Sequence, residues 1–331
     1  MRPNDYRIQL IDRQPTRQDI VREVLTGLSQ SPKQLPPKLF YDNIGSDLFE
    51  AITRQPEYYL TRAELAILAR IGDDLQRLVD PNATIVELGS GSGEKTRELL
   101  HHLSRSAVYA AIDISAEALA AALTTLGEEF PDHRFIGLAA DYLRPVALPA
   151  DVSERPQVVV FFGSTLGNFE PFDAVRFLRR WADSLTPRDG LLIGIDLKKD
   201  RERLTRAYND AQGVTAAFNR NVLTRINREC RADFDIDGFD HEAVYQSVPG
   251  RIAMFLISRR SHTVTVAGQP FAFAAGERLL TEYSYKYTIA EFHALADRAG
   301  WTPVHVWTDP ENLFGLHYLR PQASRATLSQ V

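Results

Sequence analysis

The sequence predicts an α/β fold, a parallel sheet wound with helices on both faces and interrupted by a smaller α+β insert. Three observations carry that expectation. Between residues 83 and 199, short apolar runs alternate with segments of helical period. The first run empties into a glycine-rich turn, VELGSGSGEKT. Beyond Lys199 the alternation stops, and a long helical stretch and paired β-period segments take over until about residue 287.

Residues 17–30 (RQDIVREVLTGLSQ) have helical period. Residues 31–79 are a Pro-punctuated loop and then two helices separated by QPEYYLTR. ATIVELGSGSG is the first buried strand with its turn, and EKTRELLHHL the helix it feeds. AVYAAIDIS, RFIGLAAD, QVVVFFGSTLGNF and DGLLIGIDL supply four more strands, with helices in AEALAAALTTLGEEF and PFDAVRFLRRWADSL. RERLTRAYNDAQGVTAAFNRNVLTRINREC is helical. RIAMFLISRRSHTVTV and ERLLTEYSYKY are antiparallel strands joined by a hairpin-like excursion. TIAEFHALADRAG is a last helix, and TPVHVWTD and NLFGLHYLRP complete the sheet. The expected domains are 1–200 plus 287–331, with an N-terminal helical cap, and an insert at 201–286.

Composition narrows the function. With 331 residues, 44% of them hydrophobic, the chain can bury a sizeable core. A net charge of −5 gives no basic field for nucleic acid. The single cysteine, Cys230, excludes an internal disulfide framework and argues against a thiolate zinc site, which fits a cytoplasmic protein. The eight histidines show no metal-ligand spacing, so no metal is expected. The N-terminal segment has no apolar core of a secretory signal, and no run is long enough to span a bilayer.

The glycine turn carries Gly89, Gly91 and Gly93, and a strand–glycine–helix junction lets backbone approach a ligand closely. The dinucleotide pattern G-x-G-x-x-G is broken, because the third glycine comes one residue early. Glu87 precedes the turn, a charge that suits a cationic ligand such as S-adenosylmethionine (SAM) better than a pyrophosphate. Asp113 ends the second strand, where a carboxylate can accept both ribose hydroxyls. Asp141 and Tyr142 end the third, on the adenine side. Lys95, in the first turn of the helix, stands where it can meet the methionine carboxylate, or serve as an ordinary surface lysine. This stretch resembles the Rossmann-like SAM-dependent methyltransferases, and the resemblance carries Gly89, Asp113, Asp141 and Tyr142 over as cofactor contacts. The loop after the fourth strand is GSTLGNFEP, not the N-P-P-Y type of many nucleic-acid amino-methylating enzymes.

Residues 36–64 together with FFGSTLGNFEP, DLKKD, AYNDAQGVTAAFNRNVLTRIN and TEYSYKY narrow the likeness. Over roughly residues 17–320 the chain is similar to the histidine-specific Nα-methyltransferases of the ergothioneine pathway. That similarity implies three methylations of L-histidine to hercynine, with S-adenosylhomocysteine as the by-product. It implies Asn168 and Tyr208 at the substrate carboxylate, and Tyr41 and Phe49 near the amine. Tyr58 would line the imidazole side, Glu282 and Ser284 would hold the ring, and Met254 would limit the pocket. A monomer is expected, acting on a small molecule, with neither nucleic acid nor membrane as partner. Two alternatives stay open: the same chemistry on tryptophan or tyrosine, and a SAM-binding protein without catalysis.

The chemistry agrees with that residue set. Methyl transfer to a neutral amine needs alignment more than acid–base power. The amine gains methyls and loses hydrogen-bond donors, so substrate must be gripped by its other ends, and aromatic walls suit the growing cation. In the strand LLTEYSYKY, period two puts Glu282, Ser284 and Lys286 on one face and Tyr283, Tyr285 and Tyr287 on the other. The expectation is that the polar face meets the ligand and the tyrosines enter the insert's core.

Overall fold

The computed structural model describes residues 8–103, 108–144 and 146–323. They form two compact units, one of residues 8–13, 60–198 and 286–323, the other of residues 14–59 and 199–285. From the N-terminus, β1 (Ile8–Arg13) belongs to the first unit, and α1 (Arg17–Leu28) and α2 (Asn43–Thr53) to the second. The first unit then takes α3 (Leu60–Leu68), α4 (Gly72–Leu78), β2 (Thr84–Leu88), α5 (Glu94–His102), β3 (Val108–Asp113) and α6 (Ala116–Glu129). It continues with β4 (Arg134–Ala140), α7 (Ala150–Ser153), β5 (Gln157–Phe161), α8 (Pro171–Ser184) and β6 (Gly190–Asp196). The second unit resumes with α9 (Arg201–Arg206), α10 (Val214–Cys230), β7 (Phe239–Gln246), β8 (Arg251–Ser258), β9 (His262–Val266), β10 (Gln269–Phe273) and β11 (Arg278–Tyr285). The first unit closes with α11 (Ile289–Arg298), β12 (Trp301–Thr308) and β13 (Phe314–Pro321). Among the described residues no helix is long and apolar enough to cross a membrane.

The first unit is built on one sheet of order β1-β4-β3-β2-β5-β6-β13-β12. Strands β1 to β6 pair in parallel, and β13 runs antiparallel to both β6 and β12. Every residue of β2, β5 and β6 is buried, as strands covered on both faces must be. The winding starts at β2 and proceeds to β3 and β4, then returns to β5 on the other side. That reversal opens the crevice beyond the strand C-termini where such sheets bind ligands. The α/β fold class of the sequence reading is therefore observed. The edge strand β1 was not expected: its burial alternates too weakly to read as an apolar run.

The division into units differs from the sequence expectation in one segment. Residues 14–59 were expected with the sheet, as its cap, and they cluster instead with residues 199–285. The cause is polar as well as apolar. Asp42 caps α2 by accepting from Gly45 N at 2.8 Å, and it also accepts from Asn221 Nδ2 (2.8 Å) and Arg228 Nη2 (2.7 Å) of α10. Burial pushes the Asp42 carboxyl up, but Arg228, Gly45 and Asn221 outweigh it and hold it below its ordinary range. Phe40 stacks on Phe218 of α10 with centroids 4.5 Å apart, and Arg225 Nη1 donates to the Leu39 carbonyl. The unit's second component is the antiparallel sheet β11-β8-β7, with β9 and β10 as a separate hairpin.

At the C-terminal end of β6, Lys286 Nζ lies 2.7 Å from Asp196 Oδ2, with both side chains fully buried. Removing one partner of such a pair leaves an uncompensated buried charge. Ser164 Oγ accepts from Asp196 N at 2.8 Å, so the same residue anchors the loop after β5.

His317 of β13 is fully buried, its Nδ1 3.1 Å from His293 Nε2. Burial, with the neighbouring His293, pushes the His317 imidazole down to about 3. An unfolded chain binds that proton near pH 6.5 and the native one does not, so stability falls as pH drops below about 6.5. We expect His317→Gln to flatten this limb: between pH 7.5 and 5.0 the wild type should lose more urea stability than the variant, by on the order of 1 kcal/mol or more.

Candidate active site

In the first unit, β2 delivers the chain into a turn where Gly89, Gly91 and Gly93 have φ of 74°, 51° and 78°. Only glycine adopts these values without strain, so the three glycines are what allow the turn to close directly onto α5. A Cβ placed on Gly91 would meet no heavy atom within 4 Å, so the top of the turn is open to a ligand. Asp113, at the end of β3, is tied to this turn: its Oδ2 accepts from Gly91 N at 3.2 Å and its Oδ1 from Ser115 N at 3.0 Å. Burial raises the Asp113 carboxyl above its ordinary range, against the pull of the Ser115, Gly91, Ile114 and Ser90 amides. Its place at the end of β3, beside the bared glycine turn, is where a carboxylate can meet ribose hydroxyls. Asp141 is buried and accepts from Leu143 N at 2.9 Å. The Tyr142 ring packs edge-on to Phe161 and Phe177, while Arg180 donates to the carbonyls of Tyr142 and Leu143.

Glu87 differs from its sequence reading. It is buried, and its Oε2 accepts from Thr96 Oγ1 and Tyr109 OH, each at 2.6 Å. Burial lifts its carboxyl to about 7 despite those two bonds and nearby Lys95. Near neutral pH Glu87 therefore carries a proton for much of the time. It acts as a brace between β2, β3 and α5, not as a fixed charge for a cationic ligand.

Lys95 is not an ordinary surface lysine. Its Nζ is 2.7 Å from Oε2 of the fully buried Glu64 on α3, and that oxygen also accepts from Gly163 N at 2.9 Å. Gly194 makes room: a Cβ there would stand 2.0 Å from Glu64 Oε1. An ammonium has three donors, so Glu64 orients Lys95 and leaves donors for an anionic group. Gly163 begins the loop whose 3-10 turn, Thr165–Asn168, carries the half-buried Asn168. These groups fit SAM: an acid for its ribose diol, a cation for its carboxylate, and backbone bared by glycine.

The second unit assembles the remaining predicted residues. Tyr41 meets Phe49 edge to face at 5.7 Å, Phe49 meets Tyr58 at 6.2 Å, and Tyr58 meets Tyr208 at 6.3 Å. Phe218 of α10 backs this row, 5.9 Å from Tyr41 and 6.0 Å from Phe49. Tyr208 OH and Ser284 Oγ share a buried hydrogen bond of 2.8 Å. Glu282 is buried on β11 opposite Met254 of β8, which is itself buried. The polar face of β11 is thus buried. Opposite it, Tyr285 is buried but Tyr283 is half-exposed, its ring covered by the Arg251 guanidinium at 3.4 Å. Tyr285 is thus buried as expected, Tyr287 is buried within the first unit, and Tyr283 alone departs, stacked under the arginine. Lys286, which shares the polar face by period, pairs instead with Asp196 in the first unit.

A family model described as histidine-specific methyltransferase, SAM-dependent, matches residues 20–321. The chain belongs to that family. It is 45% identical over 300 residues to the histidine N-alpha-methyltransferase of Mycolicibacterium smegmatis, covering 89% of this chain and 92% of that one. To the histidine N-alpha-methyltransferase of Mycobacterium tuberculosis it is 41% identical over 304 residues, with the same coverage. Ergothioneine biosynthesis protein 1 of Neurospora crassa is 33% identical over 296 residues, which span 87% of this chain and 33% of that longer protein.

Within this histidine-specific methyltransferase, sequence reasoning missed Glu64 and Phe218. Glu64 closes the quoted stretch 36–64, but its partners Lys95 and Gly163 are distant in the chain. Phe218 lies on the apolar stripe of α10 with Val222 and Ile226, a period that would have marked it as buried.

Proposed function

We propose that the protein transfers methyl groups from SAM to the α-amino nitrogen of L-histidine, in three rounds, giving hercynine as the first step of ergothioneine synthesis. The observation that carries this is the 45% identity to a histidine N-alpha-methyltransferase over 89% of the chain. SAM supplies an electrophilic methyl on a sulfonium. In this reading Gly89, Asp113, Asp141, Tyr142 and Lys95 hold the donor. Asn168 and Tyr208 take the substrate carboxylate, Glu282 and Ser284 the ring, and Met254 and Tyr58 shape the ring pocket.

Tyr41 and Phe49 stand at the amine. Their faces attract the quaternary ammonium that accumulates, by about 0.5–2 kcal/mol each, without asking it for a hydrogen bond. In each round the ammonium first gives one proton to solvent, the neutral amine then takes the methyl as the carbon–sulfur bond breaks, and the thioether leaves uncharged; alignment matters more than a dedicated acid or base. We take the enzyme as a metal-free cytoplasmic monomer, in keeping with its single, buried cysteine.

The test is incubation with SAM and each proteinogenic amino acid, read by mass. Stepwise gain of one, two and three methyls on histidine alone is the expected result. Gain on tryptophan or tyrosine instead of histidine would reject the substrate, and no gain on any would leave a SAM-binding protein.

A further inference from the structure

Behind Tyr208 lies a hydrogen-bonded relay that the assigned roles do not use. Tyr208 lies just beyond the short helix α9, whose C-cap is Ala207, in the turn that leaves it, so its carbonyl is outside the helix's own hydrogen bonds. His241 Nε2 lies 2.9 Å from that carbonyl, and His241 Nδ1 lies 2.9 Å from Asn219 Nδ2. Asn219 is fully buried on α10, and its Nδ2 also donates to the Phe255 carbonyl at 3.0 Å. An amide nitrogen only donates, so Nδ1 of His241 must accept, and the ring proton must sit on Nε2. Asn219 thereby selects the one neutral tautomer that can donate to Tyr208. Asn209 fastens the same turn, donating from Nδ2 to the carbonyls of Thr205 and Ala243, each at 2.9 Å.

We propose that His241 is a positioning residue for substrate recognition: held by Asn219 with its proton on Nε2, it fixes the Tyr208 backbone and so aims the Tyr208 hydroxyl at Ser284. The proposal rests on the histidine reading above for what that hydroxyl grips. The geometry also gives the relay a direction in pH. Protonation at Nδ1 would set two donors, Nδ1–H and Asn219 Nδ2–H, against each other. Burial lowers the His241 imidazole from its ordinary range, with Arg220 of α10 adding to that effect. The Tyr208 carbonyl, Asp210 and Glu242 oppose it. Glu242, the next residue on β7, is itself paired to Arg278 of β11 at 2.6 Å. The relay is therefore set at neutral pH, and because the imidazole is held below its ordinary range it breaks only in more acid solution than a free histidine would need.

Steady-state kinetics on the full chain, with melting curves to verify folding, test this. His241→Leu is expected to raise KM for histidine about tenfold and to leave KM for SAM within about twofold. His241→Gln keeps a donor and should recover most of the loss, and it should remove the enzyme's share of the acid limb in kcat/KM. The substrate imidazole also gains its proton on the acid side, so that share is read as the difference between wild type and variant. In a Tyr208→Phe background His241→Leu should add little, because the two act through one hydroxyl.

Additive losses, or an equal rise in both KM values, would overturn the proposal. Should His241→Leu fail to fold, the His241→Gln comparison still decides. The relay itself is read without substrate by nitrogen-15 shifts of His241. An unprotonated Nδ1 at pH 7.5 is expected, and a protonated Nδ1 overturns the proposal whichever amino acid is methylated. Failure of wild type to methylate histidine would count against the function and not against the relay.

Discussion

Asp113→Ala should weaken SAM binding by about two to four orders of magnitude, the largest effect expected for one side chain in the first unit. Its carboxylate is held at the mouth of the sheet by two backbone amides, Gly91 N and Ser115 N, and so meets a ligand already oriented. Two hydrogen bonds from ribose hydroxyls to a charged acceptor are each worth about 1.5–3 kcal/mol, and alanine loses both. It also frees the glycine turn, whose Gly91 amide would lose its partner. The sheet should survive, because the buried residues of β3 precede Asp113. Titration calorimetry with S-adenosylhomocysteine measures the loss, and a melting curve separates it from unfolding. Asp113→Asn is the sharper control: its shape is retained, but its amide nitrogen would face one of the two backbone donors. Affinity within threefold of wild type in the alanine variant would remove Asp113 from the cofactor site.

The contrast between Asp113 and Glu87 shows where sequence stops. Both are acids beside the glycine turn, and the pattern of residues treats them alike. One side chain reaches the open end of the strand and the other turns into the packing, and only the fold separates them.

The same limit recurs elsewhere. Strands β2 to β6 were legible because covered strands are continuous apolar runs, two of them, β2 and β5, ending in glycine turns. Strand β7 was not, since Asp240, His241 and Glu242 stand together in it and mask any alternation. The membership of residues 14–59 was hidden because it depends on Asp42 meeting Asn221 and Arg228, far along the chain. In LLTEYSYKY, period two told which residues share a face but not that both faces are largely buried. It also gave no sign that the strand would end at Tyr285, leaving Lys286 to pair with Asp196.

Glu282 carries the second large effect. Glu282→Ala should raise KM for histidine by roughly one to two orders of magnitude, the worth of a charge-assisted hydrogen bond in a site that excludes water, and leave SAM affinity within about twofold. The carboxylate is buried on the strand that also presents Ser284, and the intervening Tyr283 points the other way, so the two groups proposed to hold the ring are kept at one spacing by the pleat. An imidazole offers two nitrogens, and a neighbouring carboxylate favours its protonated form. Glu282→Gln keeps the shape and a hydrogen bond but loses the charge, so it should fall between wild type and alanine.

The variant should also discriminate less. A site built around polar partners rejects an analogue that leaves them unpaired, and removing Glu282 removes that penalty. The ratio of kcat/KM for histidine to that for tryptophan should therefore drop, mostly through the histidine term. Parallel loss of histidine and SAM affinity would assign Glu282 to holding β11 against β8. An unchanged ratio would mean that selectivity comes from the walls, Met254 and Tyr58, and not from the charge on the strand.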